Sequence, residues 1–371
     1  MHVLALRFSA IGDVTLLVPA FKKALAANPA LEITFVSKPF LEPLFSDCER
    51  LTFVGVKLEQ YEGLGGLFRL ASYVAGLQKD ASILDLHDSL RTRIMRNMWR
   101  LRGKKVFVLD KGRGEKAALT RKQHKDLHPL KHAVTRYLDV FSRAGFAVSL
   151  PADQAAKLPG DTGVVNWLTM GKLNLARETD AATLPAYPRH PLRELQIGYA
   201  PFAGFGLKEL PSDRSRALLK LLLQRFPQAT IILFGGKDKL HDLQQIRESL
   251  ATGELSSSIA IASEMTRDFS EELQLIGELD LMLSMDSGNL HLAAVSGIPV
   301  VGLYGTTHPY LGFAPYGQEV SGSLGLDGLG CRPCTVYGNG VCYRGDFACM
   351  KELPLEAIVD RIGEKLGMPA Q

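Results

Sequence analysis

Apolar residues in this chain gather in short runs without alternation, each followed by a hydrophilic turn and then by apolar positions at helical spacing. HVLALRF opens the series, SAIGD follows it, and a helix is expected from about Val14 to Ala27. EITFVSK, ASILDLHD and KKVFVLD read as later strands. Periodicity lapses between about Leu150 and Arg193, where Pro, Ala, Asp and Thr accumulate. A second series then begins with LQIGYAPF, a helix over Ser212 to Phe226, ATIILFGG, a helix near Asp238 to Leu250, SIAIAS and a helix over Phe269 to Gly277. LDLMLSM, NLHLAAVSG and IPVVGLYG complete a strand-helix-strand unit, and Leu353 to Leu366 forms a last amphipathic helix.

Unalternated runs of branched residues suit strands buried on both faces, and strands that alternate with helices imply parallel, doubly wound sheets. The expected architecture is therefore α/β, with two Rossmann-like domains facing across a cleft. Residues 1–165 form the first domain, 166–192 the linker and 193–352 the second domain, with the helix in 353–371 packing back toward the first.

A chain of 371 residues is long for one core and accommodates two. No apolar run approaches the roughly 20 residues a bilayer crossing needs, and MHVLALRFSAIGDV lacks a basic, signal-like start, so a cytoplasmic protein is expected. The formal charge of +4 is unevenly spread: Asp88 to Arg143 carries 16 Lys and Arg against 5 Asp and Glu. A solvated helical face or a polyanionic partner would each explain the block. Aromatic residues within it are sparse (Trp99, Phe107), which disfavours a stacking platform for nucleic acid.

Four of five cysteines lie in CRPCTVYGNGVCYRGDFACM. Cys331, Cys334, Cys342 and Cys349 form a C-x2-C-x7-C-x6-C array, a candidate structural zinc site, with reduced or paired thiols as the alternatives.

Hydrophilic residues cluster after strands, where open α/β sheets bind ligands. In RFSAIGD, Ser9 and Gly12 precede Asp13, which is either a helix cap or a general base. In YAPFAGFGLKELPSDR, Ala203 and Gly204 allow close backbone approach and Lys208 supplies a cation. Gly235 and Gly236 follow another strand. Asp286-Ser287-Gly288-Asn289 stands between a strand end and a helix start, either as ordinary capping or as a phosphate seat.

Together RFSAIGDVTLLVPAFKKALAANP, the loop to Lys208 and Pro211, and DSGNLHLAAVSGIPVVGLYGTTHP followed by APYG resemble glycosyltransferase family 9, the lipopolysaccharide heptosyltransferases. The resemblance implies a GT-B fold and inverting, metal-independent transfer of heptose from ADP-heptose to a Kdo/lipid A or inner-core acceptor. It assigns Asp13 as base, Lys208 to phosphate, and Asp286, Ser287, Gly288, Asn289, Leu290 and His291 to the donor, with Met265 near the adenine. The anionic acceptor would meet Ser9, Gly12, Arg91, Arg93, Arg96 and Arg100, with peripheral contact at the inner face of the cytoplasmic membrane and no nucleic acid. Two departures stand out: leucine replaces the family's tryptophan in Lys208-Glu209-Leu210-Pro211, and Lys237-Asp238 follows the glycines where an acidic residue usually holds the ribose. Alternatives are another nucleotide sugar serving a surface glycan, a nucleotide-sugar epimerase or hydrolase, and a non-catalytic sugar-nucleotide binder.

Overall fold

A computed structural model describes residues 1–148, 195–250 and 258–368. The expected linker, 166–192, lies outside the described residues. Two compact units emerge, each built on one parallel sheet.

The first unit holds β1 (His2–Leu6), β2 (Glu32–Ser37), β3 (Leu51–Gly55), β4 (Ser82–Asp85) and β5 (Val106–Val108) in the order β3-β2-β1-β4-β5. Its helices are α1 (Ile11–Thr15), α2 (Leu17–Ala27), α3 (Gly63–Leu77) and α4 (Leu90–Leu101); α5 (Arg113–Leu119) and α6 (Ala133–Arg143) follow in the chain. The helix expected from Val14 to Ala27 starts earlier and breaks at Leu16. Pro19 contributes to that break, because it has no N–H to return to the carbonyl of Thr15. On one face of the sheet, Phe21, Phe35, Phe45 and Phe141 pack ring to ring. On the other, Trp99 is fully buried and its indole N–H donates to the carbonyl of Ala71 at 2.8 Å, tying α4 to α3.

The second unit holds β6 (Leu195–Ala200), β7 (Ala229–Leu233), β8 (Ile259–Ile261), β9 (Leu281–Met285), β10 (Val300–Leu303) and the short β11 (Ser323–Leu324) in the order β11-β10-β9-β6-β7-β8. Its helices are α7 (Ser212–Arg225), α8 (Leu240–Glu248), α9 (Ala262–Met265), α10 (Phe269–Gly277), α11 (Gly288–Val295), α12 (Ala348–Lys351) and α13 (Leu355–Lys365).

Both sheets wind the same way. From the first strand of each, the chain adds strands on one side and then returns to the other side of that same strand. The switch points fall between β1 and β4 and between β6 and β9, and ligands of open α/β sheets collect at such crevices.

Two features depart from the expected domain division. Gly114–Leu130 clusters with the second unit, where Leu119 and Leu130 bury against Leu311 and the Leu130 N–H bonds the Tyr310 carbonyl at 2.8 Å. The C-terminal helix α13, expected to pack toward the first domain, is instead part of the second unit's core. Leu355, Ile358, Val359 and Ile362 form one apolar stripe that buries with Leu218, Leu222 and Phe226.

Candidate functional site

In the first unit, the loop after β1 places Asp13 in the first turn of α1, where its carboxylate lies 3.4 Å from the Ala10 backbone N–H. Its principal partner is a cation: Arg7 Nη2 stands 2.5 Å from Asp13 Oδ2. Arg7 is itself buried, and its Nη1 donates at 2.6 Å to the carbonyl of Leu86, the residue that follows β4. The Tyr137 hydroxyl donates to the Asp13 carbonyl at 3.2 Å. Asp13 is thus a half-buried carboxylate fixed from two sides, beyond what capping requires.

Across the switch point, His87 Nε2 meets the Ser9 hydroxyl at 3.2 Å. Burial, reinforced by Arg7, Lys111 and Arg91, pushes the His87 pKa down to about 3, so its imidazole is neutral. Burial and Arg7 also lower the Lys111 pKa. The expected acceptor arginines divide into two groups. Arg93 and Arg96 commit their charge to acids, with Arg93 Nε 3.2 Å from Asp88 Oδ1 and Arg96 Nη1 3.3 Å from the same oxygen and 3.4 Å from Asp85 Oδ2. Arg113 adds a third contact to Asp88 at 2.6 Å. Arg91 is half-buried with an Nη1 that has no hydrogen-bond partner, and Arg100 is exposed. Ser9 is exposed and Gly12 is buried within α1.

The basic block is divided between the two units. Within the second unit, Lys125 donates to the carbonyls of Cys331 and Pro333, Lys116 lies over the Phe313 ring at 3.9 Å, and Lys122 over Tyr343 at 5.3 Å.

In the second unit, the loops after β6 and β9 meet. Lys208 Nζ is 2.9 Å from Asp286 Oδ2, and both side chains are mostly buried, at 13% and 11% exposure. The Thr307 hydroxyl, after β10, donates to the same oxygen at 2.7 Å. Ser287 occupies the N-cap position of α11 but does not cap it; its hydroxyl bonds Ser284 Oγ at 3.0 Å instead. With Asp286 drawn to Lys208 and Ser287 turned to the strand, neither side chain caps α11. Leu290 and His291 are buried, whereas Ser287, Gly288 and Asn289 are part-exposed at the helix tip.

The neighbouring loops are closed locally. The Ala203 N–H donates to Glu209 Oε1 at 2.8 Å, and Gly204 is exposed. A Cβ at Gly236 would overlap the Asp238 carboxylate, and one at Gly235 would lie 3.2 Å from Leu243 Cδ1. Met265 ends α9, part-buried. Its neighbour Glu264 is held by Arg247 at 2.6 and 3.0 Å.

Cys331, Cys334, Cys342 and Cys349 border one recess, and all four thiols are free. Among the described residues no group of three or more His, Cys, Asp or Glu is placed to hold a metal ion, so the geometry does not fit the zinc site that the spacing suggests. No helix of the described residues is long and apolar enough to cross a membrane.

Sequence reasoning placed Arg7 in the RFSAIGD loop without giving it a role, and passed over His87, Lys111 and Thr307. Signals existed for His87, which ends the strand ASILDLHD, and for Thr307, in the polar end of IPVVGLYGTTHP.

A family model described as glycosyltransferase family 9 (heptosyltransferase) matches residues 77–341, well over half of the chain. Lipooligosaccharide heptosyltransferase 2 of Haemophilus ducreyi is 33% identical over 132 residues, which span 35% of this chain and 36% of that protein. Among solved structures, E. coli ADP-heptose lps heptosyltransferase II superposes with a TM-score of 0.63 at 17% identity, covering 99% of this chain and 98% of its own. The family 9 glycosyl transferase of Veillonella parvula gives 0.66 at 16% identity, covering 98% and 97%. E. coli heptosyltransferase WaaC with ADP gives 0.62 at 17%, covering 98% and 100%. At such identities the structural likeness is one of fold: two doubly wound parallel sheets in one α/β chain. With the family model spanning the loops that carry Lys208 and Asp286, the chain belongs to glycosyltransferase family 9, the heptosyltransferases.

Proposed function

We propose that the protein is an inverting heptosyltransferase that takes heptose from ADP-heptose and delivers it to a hydroxyl of a Kdo/lipid A or inner-core lipopolysaccharide acceptor. Asp13 Oδ removes the proton from the acceptor hydroxyl as its oxygen attacks the anomeric carbon. The bond from that carbon to the diphosphate oxygen breaks on the opposite face, and the negative charge passes to ADP. Lys208 and the N–H groups at the tip of α11 meet that charge as it grows, which lowers the barrier beyond what ground-state binding alone would give.

The observation that carries this reading is the Lys208–Asp286 pair beside an α11 tip capped by neither Asp286 nor Ser287, at the switch point of the second sheet. An ammonium next to free backbone N–H groups suits a diphosphate. The name of one structural relative, WaaC with ADP, supports adenine as the base. Lys111, and Arg91 with its unpartnered Nη1, both close enough to His87 to depress its pKa, supply positive charge for an anionic acceptor. Such an acceptor would bring the protein to the inner face of the cytoplasmic membrane.

The test is to incubate purified protein with ADP-heptose and Kdo-terminated lipid A, follow ADP release and glycolipid mass, and assign the anomeric configuration of the product by NMR. Acceptor-dependent transfer with inversion is expected. Transfer from a UDP- or GDP-sugar alone would move the reading to another surface glycan, and ADP release without acceptor would mark a hydrolase.

A further inference from the structure

The cysteine-rich segment lies outside every step above, yet its backbone and side chains reach the phosphate lysine. Gly338 has φ +81°, a left-handed conformation, and a Cβ there would overlap Cγ and Cδ of Lys208. The lysine stem therefore lies flush against the bare backbone of the segment. A chain of hydrogen bonds runs beside that contact. The Gly338 N–H donates to Thr335 Oγ1 at 2.9 Å, Thr335 Oγ1 donates to Thr306 Oγ1 at 3.3 Å, and Thr306 Oγ1 donates to the carbonyl of Leu207 at 3.0 Å. Leu207 immediately precedes Lys208.

The loop in the middle of this chain is held at both ends. The N–H groups of Cys334 and Thr335 both donate to the Thr306 carbonyl, at 2.9 and 3.1 Å. The buried guanidinium of Arg332 donates to the carbonyls of Gly305 and Tyr304, each at 2.7 Å. Thr307, next in line, holds Asp286 Oδ2, the oxygen that Lys208 also meets. Residues 332–338 thus constrain the position of the ammonium through its stem, through the backbone before it and through its counter-ion.

We propose that Thr335 and Gly338 are positioning residues for Lys208, and that this segment is a strap that sets the lysine for the donor diphosphate. A flexible four-carbon stem loses conformational freedom on binding a phosphate, and a strap that fixes it beforehand reduces that cost. The alternative is a segment that merely covers the core, which Cys349 and Met350 do further along. A cover would support folding without acting through one side chain.

This inference rests on the reading of Lys208 as a phosphate ligand, and the experiment separates the two. ADP binding is measured by calorimetry, and donor KM and kcat by turnover, for wild type, Thr335→Val, Thr335→Ser, Gly338→Ala and Lys208→Ala, with thermal midpoints for each. Thr335→Val and Gly338→Ala should weaken ADP roughly 10-fold, the scale expected when a binding group is displaced by a fraction of an ångström. Thr335→Ser keeps the hydroxyl and should bind like wild type. In the Lys208→Ala background the effects of Thr335→Val and Gly338→Ala should vanish, because their route passes through that side chain. Loss of ADP affinity in Lys208→Ala alone, with Thr335→Val unchanged, overturns the strap. Equal losses with and without Lys208 overturn it too, as the mark of a general structural role. Wild-type ADP affinity in Lys208→Ala refutes the phosphate reading itself. Should Gly338→Ala fail to fold, Thr335→Val against Thr335→Ser carries the test.

Discussion

Lys208 Nζ lies 2.9 Å from Asp286 Oδ2, and the Thr307 hydroxyl donates to that same oxygen at 2.7 Å. One carboxylate oxygen thus holds the cation proposed to meet the diphosphate, and Thr307 keeps the carboxylate in place. Lys208→Ala should lower kcat/KM for donor by about 10²- to 10³-fold, the loss typical of removing one group aimed at developing charge. It should also destabilise the second unit by roughly 3 kcal/mol, since it strands a mostly buried carboxylate. Steady-state kinetics and urea denaturation check both, and Lys208→Ala with Asp286→Asn should recover most of the stability and none of the rate.

Asp13 and Arg7 offer a sharper separation of binding from chemistry. Asp13→Asn keeps size and shape but removes the proposed base, so kcat should fall roughly 10²- to 10⁴-fold with ADP affinity unchanged. Arg7→Met leaves the carboxylate without its 2.5 Å partner. The rate should then fall as well, because the carboxylate loses the partner that orients it. Residual turnover tells the two apart: Arg7→Met keeps the carboxylate and should retain more of the wild-type rate than Asp13→Asn.

The strands around the sites were legible because buried parallel strands leave unalternated apolar runs, and β6, β7, β9 and β10 fall within the quoted segments. Asp286 was singled out because it directly follows such a run, and Lys208 because it is the cation of the small-residue loop after another. What stayed hidden depends on distance in sequence. Arg7 gains its role from Asp13 and Leu86, and Arg93 and Arg96 lose theirs to Asp85 and Asp88. A run of arginines reads as a basic surface until the acids folded against it are known. The helix α13 misled for a related reason: an amphipathic stripe shows that a face is buried but not which core receives it.

Trp99 tests the packing of the first unit. It is fully buried, and its N–H donates to Ala71 O at 2.8 Å. Trp99→Phe keeps most of the ring but leaves that carbonyl unpaired, at a cost of about 1–2 kcal/mol. Trp99→Ala adds a cavity and should cost about 3–5 kcal/mol. Because the tie joins α4 to α3, hydrogen exchange should rise first at those helices, while amides of β6 and β9 keep their protection.

Two part-buried imidazoles give the chain an acid sensitivity whose sign is fixed. Burial brings His87 down to about 3 and His308 to about 4, from an ordinary value of 6.5. Arg7, Lys111 and Arg91 reinforce the shift at His87 against Asp13, and Arg332 does so at His308 against Asp327. Each folded pKa is depressed, so the unfolded chain takes up the proton first and stability falls as pH drops from about 6.5 toward those values. At pH 5 each histidine should cost about 2 kcal/mol relative to neutral pH. Glu272 acts in the opposite sense: burial raises its carboxyl to about 6, so its folded form gains a proton as pH falls through that value and offsets part of the loss. The comparison that isolates the histidines is therefore wild type against His87→Asn and His308→Asn. Urea midpoints measured from pH 7.5 to 5 should fall less steeply in either variant. Parallel slopes would show that the imidazoles protonate in the folded protein as readily as in the unfolded chain.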